Sequence, residues 1–243
     1  MHLYRCLGLF LFIYMEKKYK LHKNRIYDGL YQIEALKDFE VQGRKVHKGQ
    51  LGGHVSSEDN LSQSGNCWIF GDAKVRDWAK LSGDAIATDN CLIKDHAIVD
   101  GNVSVYGDAI IRGYAQVHDE VEVYSSSIIA DHSIVTNSAC IFGGNLYDNA
   151  RIKDNAEING IVRGNAEIKD NAYIGCHAEV SDNAKCFGNA KIDFENNGDI
   201  KICGSAMVYG NAEINGKNIV IGGDAKITNK VHTNRHIYHG FYY

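Results

Sequence analysis

Four ring-bearing residues, Trp78, His96, Tyr114 and His132, recur at intervals of eighteen, a spacing that places them in one column if the chain winds with that period. Rings on one edge can bind a flat or anionic ligand, and a histidine among them can serve as general base toward an acceptor hydroxyl or amine. Arg76, Lys94 and Arg112 stand two residues earlier in three of the same blocks, where they could hold phosphates. Asp95 and Asp131 directly precede the two histidines, but aspartate is also a common turn former. The column is therefore weighed against a plainer reading, in which the rings only stabilise a sheet edge by cross-strand packing. His118 falls in a different column with Ser82, Asp100 and Thr136 and reads first as a solvated surface residue.

Little else in the sequence announces chemistry. A P-loop, a dinucleotide fingerprint, a nucleophile elbow and zinc-ligand spacing are all missing. Seven cysteines form no CxxC pair and show no ligand spacing with histidine, so no metal is expected and free thiols in a reducing, cytoplasmic compartment fit best. The formal net charge of -4 arises from 26 basic and 30 acidic residues mixed along the chain, which argues against a nucleic-acid or anionic-membrane partner. The apolar run from Leu7 to Tyr14 is too short to span a bilayer and lacks a small-residue cleavage site. Residues 1–15 are accordingly read as a non-native or disordered extension, with Met15 favoured over Met1 as the start.

The elements that would position those residues are set by a six-residue period. From Trp68 to Asn145 thirteen blocks run without an insertion, from WIFGDA and KVRDWA to IVTNSA and CIFGGN, with an aliphatic second residue and a small sixth one. After a five-residue block at 146–150 the pattern resumes with RIKDNA. Past the short piece EING (157–160) it continues from IVRGNA to KIT. A short fixed period means stacked repeats, none of which buries its own face alone. The aliphatic residue points inward from a short strand, the small residue fills a corner, and Gly, Asp or Asn between them tolerates a left-handed turn. Proline is absent, as suits a chain whose backbone N–H groups are needed in ladders between coils.

Outward columns follow from the same period. Residues preceding the aliphatics give Lys74, Leu92, Ile110 and Ile128 on one face and Lys80, Ile98, Gln116 and Ile134 on the next. Leu92, Ile98, Ile110, Ile128 and Ile134 are the candidate interface, since exposed apolar stripes mark interaction surfaces unless a satellite segment covers them. Phe70, Thr88, Tyr106, Tyr124 and Phe142 form a third column, a strip for contact with protein or glycan. Beyond residue 150 the columns turn polar, and Arg151, Glu167 and Lys185 stack if residues 157–160 occupy one face.

These blocks resemble the [LIV]-x-x-x-[STAV]-x hexapeptide of the left-handed β-helix superfamily, in which three hexads make one triangular coil. The lead-in DFEVQGRKVHKGQLGGHVSSEDNLSQSGNCWIFGDA (38–73) is similar to that of the uncharacterised YdcK-like branch, which also occurs in phage-related proteins. A tryptophan usually stands there where this chain has His54. The resemblance implies an all-β, single-stranded left-handed parallel β-helix with a small N-terminal β cap. Its domains would be the cap at 16–65, the repeats at 66–228 and a C-terminal tail at 229–243 that would cover the far end. It also implies a trimeric or dimeric homo-oligomer. If the chain is an enzyme, the resemblance makes it a CoA-dependent acyltransferase with acetyl-CoA as cosubstrate and His96, His132 and, behind them, His118 as catalytic candidates. No cofactor is otherwise required, and the residues themselves speak slightly more for an oligomeric binding protein with a protein or glycan partner.

Overall fold

A computed structural model describes residues 16–25, 29–193, 195, 198–232 and 235–242; the proposed extension at 1–15 lies outside them. The chain winds as a parallel β-solenoid whose strands fall into one 13-stranded and two 10-stranded sheets. Successive hexads visit the three sheets in turn. Lys74–Val75 lies in the first, Lys80–Leu81 in the second and Ile86–Ala87 in the third. Each strand pairs in parallel with the strand one coil away, as Leu92 with Lys74 and with Ile110.

The repeat rule explains the interior. Second-place residues such as Ile69, Val75, Leu81 and Ile93 and sixth-place residues such as Ala73, Ala79 and Cys91 are fully buried. Fourth-place residues take the left-handed conformation at corner after corner, with Asp77, Asp95, Asp119 and Asp131 at φ 60°, 62°, 70° and 60°. Glycine costs nothing there, and aspartate is tolerated because its carboxylate does a second task. Oδ2 of Asp95 accepts the amide N–H of Gly113, the corner residue of the next coil, at 3.0 Å. Asp89, Asp119 and Asp131 repeat the arrangement with Gly107, Asn137 and Asp148. Fifth-place asparagines add ladders of their own, as Asn155 to Asn171 to Asn189.

The coil shortens where the sequence pattern slips, but at a different residue from the one expected. Asn145–Leu146 is a strand paired with Ile128–Ile129, so 145–150 is a full hexad and the five-residue unit is 140–144. Gly144 closes that tight corner, since a Cβ there would lie 2.7 Å from the Ile158 carbonyl oxygen. The piece 157–160 does occupy one face, and Arg151, Glu167 and Lys185 stack in register. Lys185 and Lys153 both pair with Glu167, at 3.8 and 3.1 Å.

The N-terminal cap is built from five strands. β1 (Tyr19–Arg25), β2 (Tyr31–Ala35) and β5 (Leu51–Val55) form an antiparallel extension of the first sheet, and β5 pairs in parallel with Lys74–Val75. Gly52 and Gly53 lie inside β5. They are required there because a Cβ at Gly53 would sit 2.3 Å from Ile69 Cγ2. β3 (Phe39–Val41) and β4 (Arg44–Val46) make a hairpin that folds over the third sheet. Gln42 at its turn donates to the carbonyls of Asp84 and Val103 and accepts from Ser104 Oγ at 2.6 Å. At the far end, Val231–His232, His236–Ile237 and Phe241–Tyr242 each join one sheet in parallel, so the segment read as a C-terminal tail continues the coil. Among the described residues no helix is long and apolar enough to cross a membrane.

Candidate functional site

Twelve of the thirteen candidate residues come together, and His118 does not. A first-sheet strand leads through a corner into a second-sheet strand, and one coil reads outward as aliphatic, cation, ring, aliphatic at Leu92, Lys94, His96 and Ile98, while Lys74, Lys80 and Gln116 interrupt the flanks and Ala130 ends the cation position in the other coils. Stacking coils by their registered pairs turns this order into four parallel stripes along one edge of the solenoid. Arg76, Lys94 and Arg112 form the second stripe, and Trp78, His96, Tyr114 and His132 the third. His118 lies beyond the far flank, on the second-sheet side next to Gln116, 3.5 Å from its Oε1.

The ring stripe is a continuous stack. Centroids are separated by 4.9, 4.7 and 5.2 Å with interplanar angles of 5°, 0° and 8°, close to the spacing of strands in a sheet. Each ring thus covers its neighbour's face, and only edges and the two outer faces meet solvent, even though Trp78 is 71 % exposed. A flat ligand has no free ring face to stack on between Trp78 and His132. The stack favours the structural reading of these rings, worth about 0.5–1.5 kcal/mol per pair.

The same geometry weakens the histidines as bases. No carboxylate lies within ion-pair distance of the His96 or His132 ring among the described residues, and the aspartates preceding them are committed to the corner amides of Gly113 and Asp148. A general base needs an orienting partner, and among the described residues neither ring has a carboxylate in that role.

The cation stripe is electrostatically incomplete. Arg76 meets Asp77 at 3.4 Å, but among the described residues Lys94 and Arg112 have no ion-pair partner. Like charges stacked one coil apart repel and favour an anionic neighbour. The complementary surface lies on the same molecule, at the corner between the second and third sheets. There Asp84, Asp119, Glu120 and Glu122 are exposed, Asp100 is half-buried, and none pairs with lysine or arginine among the described residues.

The flanking aliphatic stripes are not shielded by the cap. The β3–β4 hairpin and β1 cover the outward residues of the third sheet instead: Trp68 is fully buried against Tyr19 and Phe39, at centroid distances of 6.4 and 5.4 Å, and Ile86 is only 3 % exposed. Leu92, Ile110, Ile128 and Ile134 stay half-buried by their neighbours alone, and Ile98 is exposed. In the third column Tyr106 stacks on Tyr124 at 5.1 Å, and Tyr124 meets the exposed Phe142 ring at 4.8 Å with a tilt of 32°. Cys140 Sγ lies 3.4 Å from Tyr124 Oη.

A second constellation escaped the sequence. Cys176, His177 and Asp193 bring a thiol, an imidazole and a carboxylate within 4.8 Å of one another. The six cysteines among the described residues are free thiols. Burial pushes the Cys91 thiol up to about 12 and raises that of Cys186, whereas Cys176 is exposed. Linear spacing could not reveal the cluster, because its third member comes from the next coil through an irregular segment. The one available signal was YIGCHA, whose fourth place holds cysteine where its neighbours hold Gly or Asp.

In comparisons with known proteins, no family model and no curated protein matches the chain. The likeness to hexapeptide-repeat proteins therefore rests on the repeat itself and on the parallel solenoid it forms.

Proposed function

We propose that this chain is an interaction rod whose working surface is the four-stripe edge, and that the surface seats a second copy of the same chain. The observation that carries this reading is the pair of unlike edges: a cation stripe with two unpaired members between uncovered aliphatic flanks, and an acidic edge on the same coils. A symmetric pairing of the cation edge with itself would bring like charges together. A head-to-tail pairing of unlike edges relieves them, and such a contact forms a ring when its rotation closes. A trimer is the natural closed form for a three-sided rod. The aliphatic flanks would supply the buried area and the charges the register.

Sedimentation velocity of the wild-type chain tests the reading. Assembly is expected, weaker at high salt, and weaker by at least about tenfold (~1.4 kcal/mol) in Lys94→Glu/Arg112→Glu. Adding Asp119→Lys/Glu120→Lys to the same chain reverses both edges and should restore assembly. A wild-type monomer at high protein concentration would overturn the proposal, as would assembly indifferent to these charges. Free thiols at the six described cysteines are compatible with a reducing, cytoplasmic setting.

A further inference from the structure

The corner at residues 175–177 departs from the rule that governs its neighbours. Cys176 stands in the fourth place of its hexad yet does not take the left-handed conformation found at Asp170 and Asp182. Gly175 lets the backbone pass unusually close to the next coil, since a Cβ there would meet the Asp193 carbonyl oxygen at 2.1 Å. Asp193, fully buried and at φ 55°, opens the segment that lengthens this coil. Its carboxylate is held on both sides. Oδ2 accepts the His177 amide N–H at 2.9 Å, and Oδ1 that of Gly198 at 3.3 Å.

The three side chains converge on a single ring nitrogen. Nδ1 of His177 is 3.3 Å from Cys176 Sγ and 3.3 Å from Asp193 Oδ2, while Nε2 is 3.8 Å from the same sulfur. A nucleophilic triad would put thiol and carboxylate on opposite ring nitrogens, so that one accepts a proton while the other is held. Here both address Nδ1. A neutral imidazole offers at Nδ1 either one proton or one lone pair, so hydrogen bonding can serve only one of the two neighbours.

A cation can serve all three. Ligand bonds of about 2.0–2.3 Å in a tetrahedron separate ligand atoms by roughly 3.3–3.7 Å, which the two 3.3 Å separations match with little movement. A thiolate and a carboxylate together balance a divalent charge, and the mixture of S, N and O donors suits Zn²⁺ or Co²⁺ better than Mg²⁺ or Ca²⁺. The carboxylate's two backbone donors fix its orientation as outer partners do in metal sites. Beside the cluster a groove of about 510 Å³ opens, lined also by Asp199, Lys201 and His236. Among the described residues no other three such ligands converge.

We propose that Cys176, His177 and Asp193 form a three-ligand site for a borderline divalent cation of the Zn²⁺ class, with its fourth position open to the groove. The test uses the full, untagged chain, stripped with chelator and titrated with Co²⁺, then with Zn²⁺ against a chromophoric chelator. One equivalent of Co²⁺ per chain is expected, with a thiolate-to-cobalt charge-transfer band displaced by Zn²⁺. Cys176→Ser should abolish the band, His177→Ala should weaken binding at least tenfold, and Cys203→Ser should change neither. Both substituted ligands are exposed, and circular dichroism with thermal melting verifies that each variant keeps its fold. Absence of the band in the wild type, its survival in Cys176→Ser, or its equal loss in Cys203→Ser overturns the site.

Discussion

Asp95 serves its corner in two ways, by adopting a φ of 62° and by accepting the Gly113 amide N–H from the coil above. Alanine can do neither well. A left-handed residue bearing a plain Cβ costs about 1–2 kcal/mol, and the lost charge-assisted hydrogen bond adds about 1.5 kcal/mol. Asp95→Ala should therefore lower stability by roughly 2.5–3.5 kcal/mol, whereas Asp95→Asn, which keeps a side-chain carbonyl and tolerates the conformation, should cost under about 1 kcal/mol. Urea unfolding with an unchanged m-value measures both. Equal losses in the two variants would mean that neither conformation nor the amide acceptor explains aspartate at these corners. The same commitment of Asp95 and Asp131 to backbone amides is what leaves His96 and His132 without an orienting carboxylate.

Among elements, the cap decides which apolar surface is hidden. Trp68 points outward from its strand yet is fully buried, because Phe39 of β3 and Tyr19 of β1 meet it edge to face. The Tyr19 hydroxyl in turn donates to the carbonyls of Glu58 and Leu61. Lys18, also buried, donates from Nζ to the Cys67 and Gly65 carbonyls, and burial holds its ammonium below the usual lysine range. Trp68→Ala removes the ring on which Tyr19 and Phe39 pack and should cost about 3–5 kcal/mol. Solenoid stability is a chain of neighbour terms, so the loss should stay local. Amide exchange in β3, β4 and the first coils is expected to accelerate while the strands from Arg151 onward keep their protection. Acceleration along the whole rod would show that cap and coils unfold as one unit.

At the scale of the whole molecule, the eighteen-residue period made the solenoid, its inward columns and the four-stripe edge legible, because a strict repeat converts sequence distance directly into spatial adjacency. Reading failed where adjacency depended on an irregular segment. Nothing in the spacing told that Gly52 and Gly53 belong to a strand, that His236 and Phe241 continue the coil, or that Asp193 reaches back to His177. It also could not tell that ring faces would be spent on one another, which bears on catalysis. An acyltransferase using this edge would need His96 or His132 as a poised base and an open surface for acetyl-CoA. The rings present mainly edges, their neighbouring aspartates are engaged, and what favours a phosphate-bearing ligand on this edge is the pair Lys94 and Arg112, which have no ion-pair partner among the described residues. Calorimetric titration with acetyl-CoA is therefore expected to show no saturable binding at millimolar ligand. Saturable binding that weakens in His96→Ala/His132→Ala would place the cosubstrate against the ring stripe and make the edge an active site. Binding that weakens only in Lys94→Glu/Arg112→Glu would instead mark a phosphate contact without a base, and the interaction rod would stand.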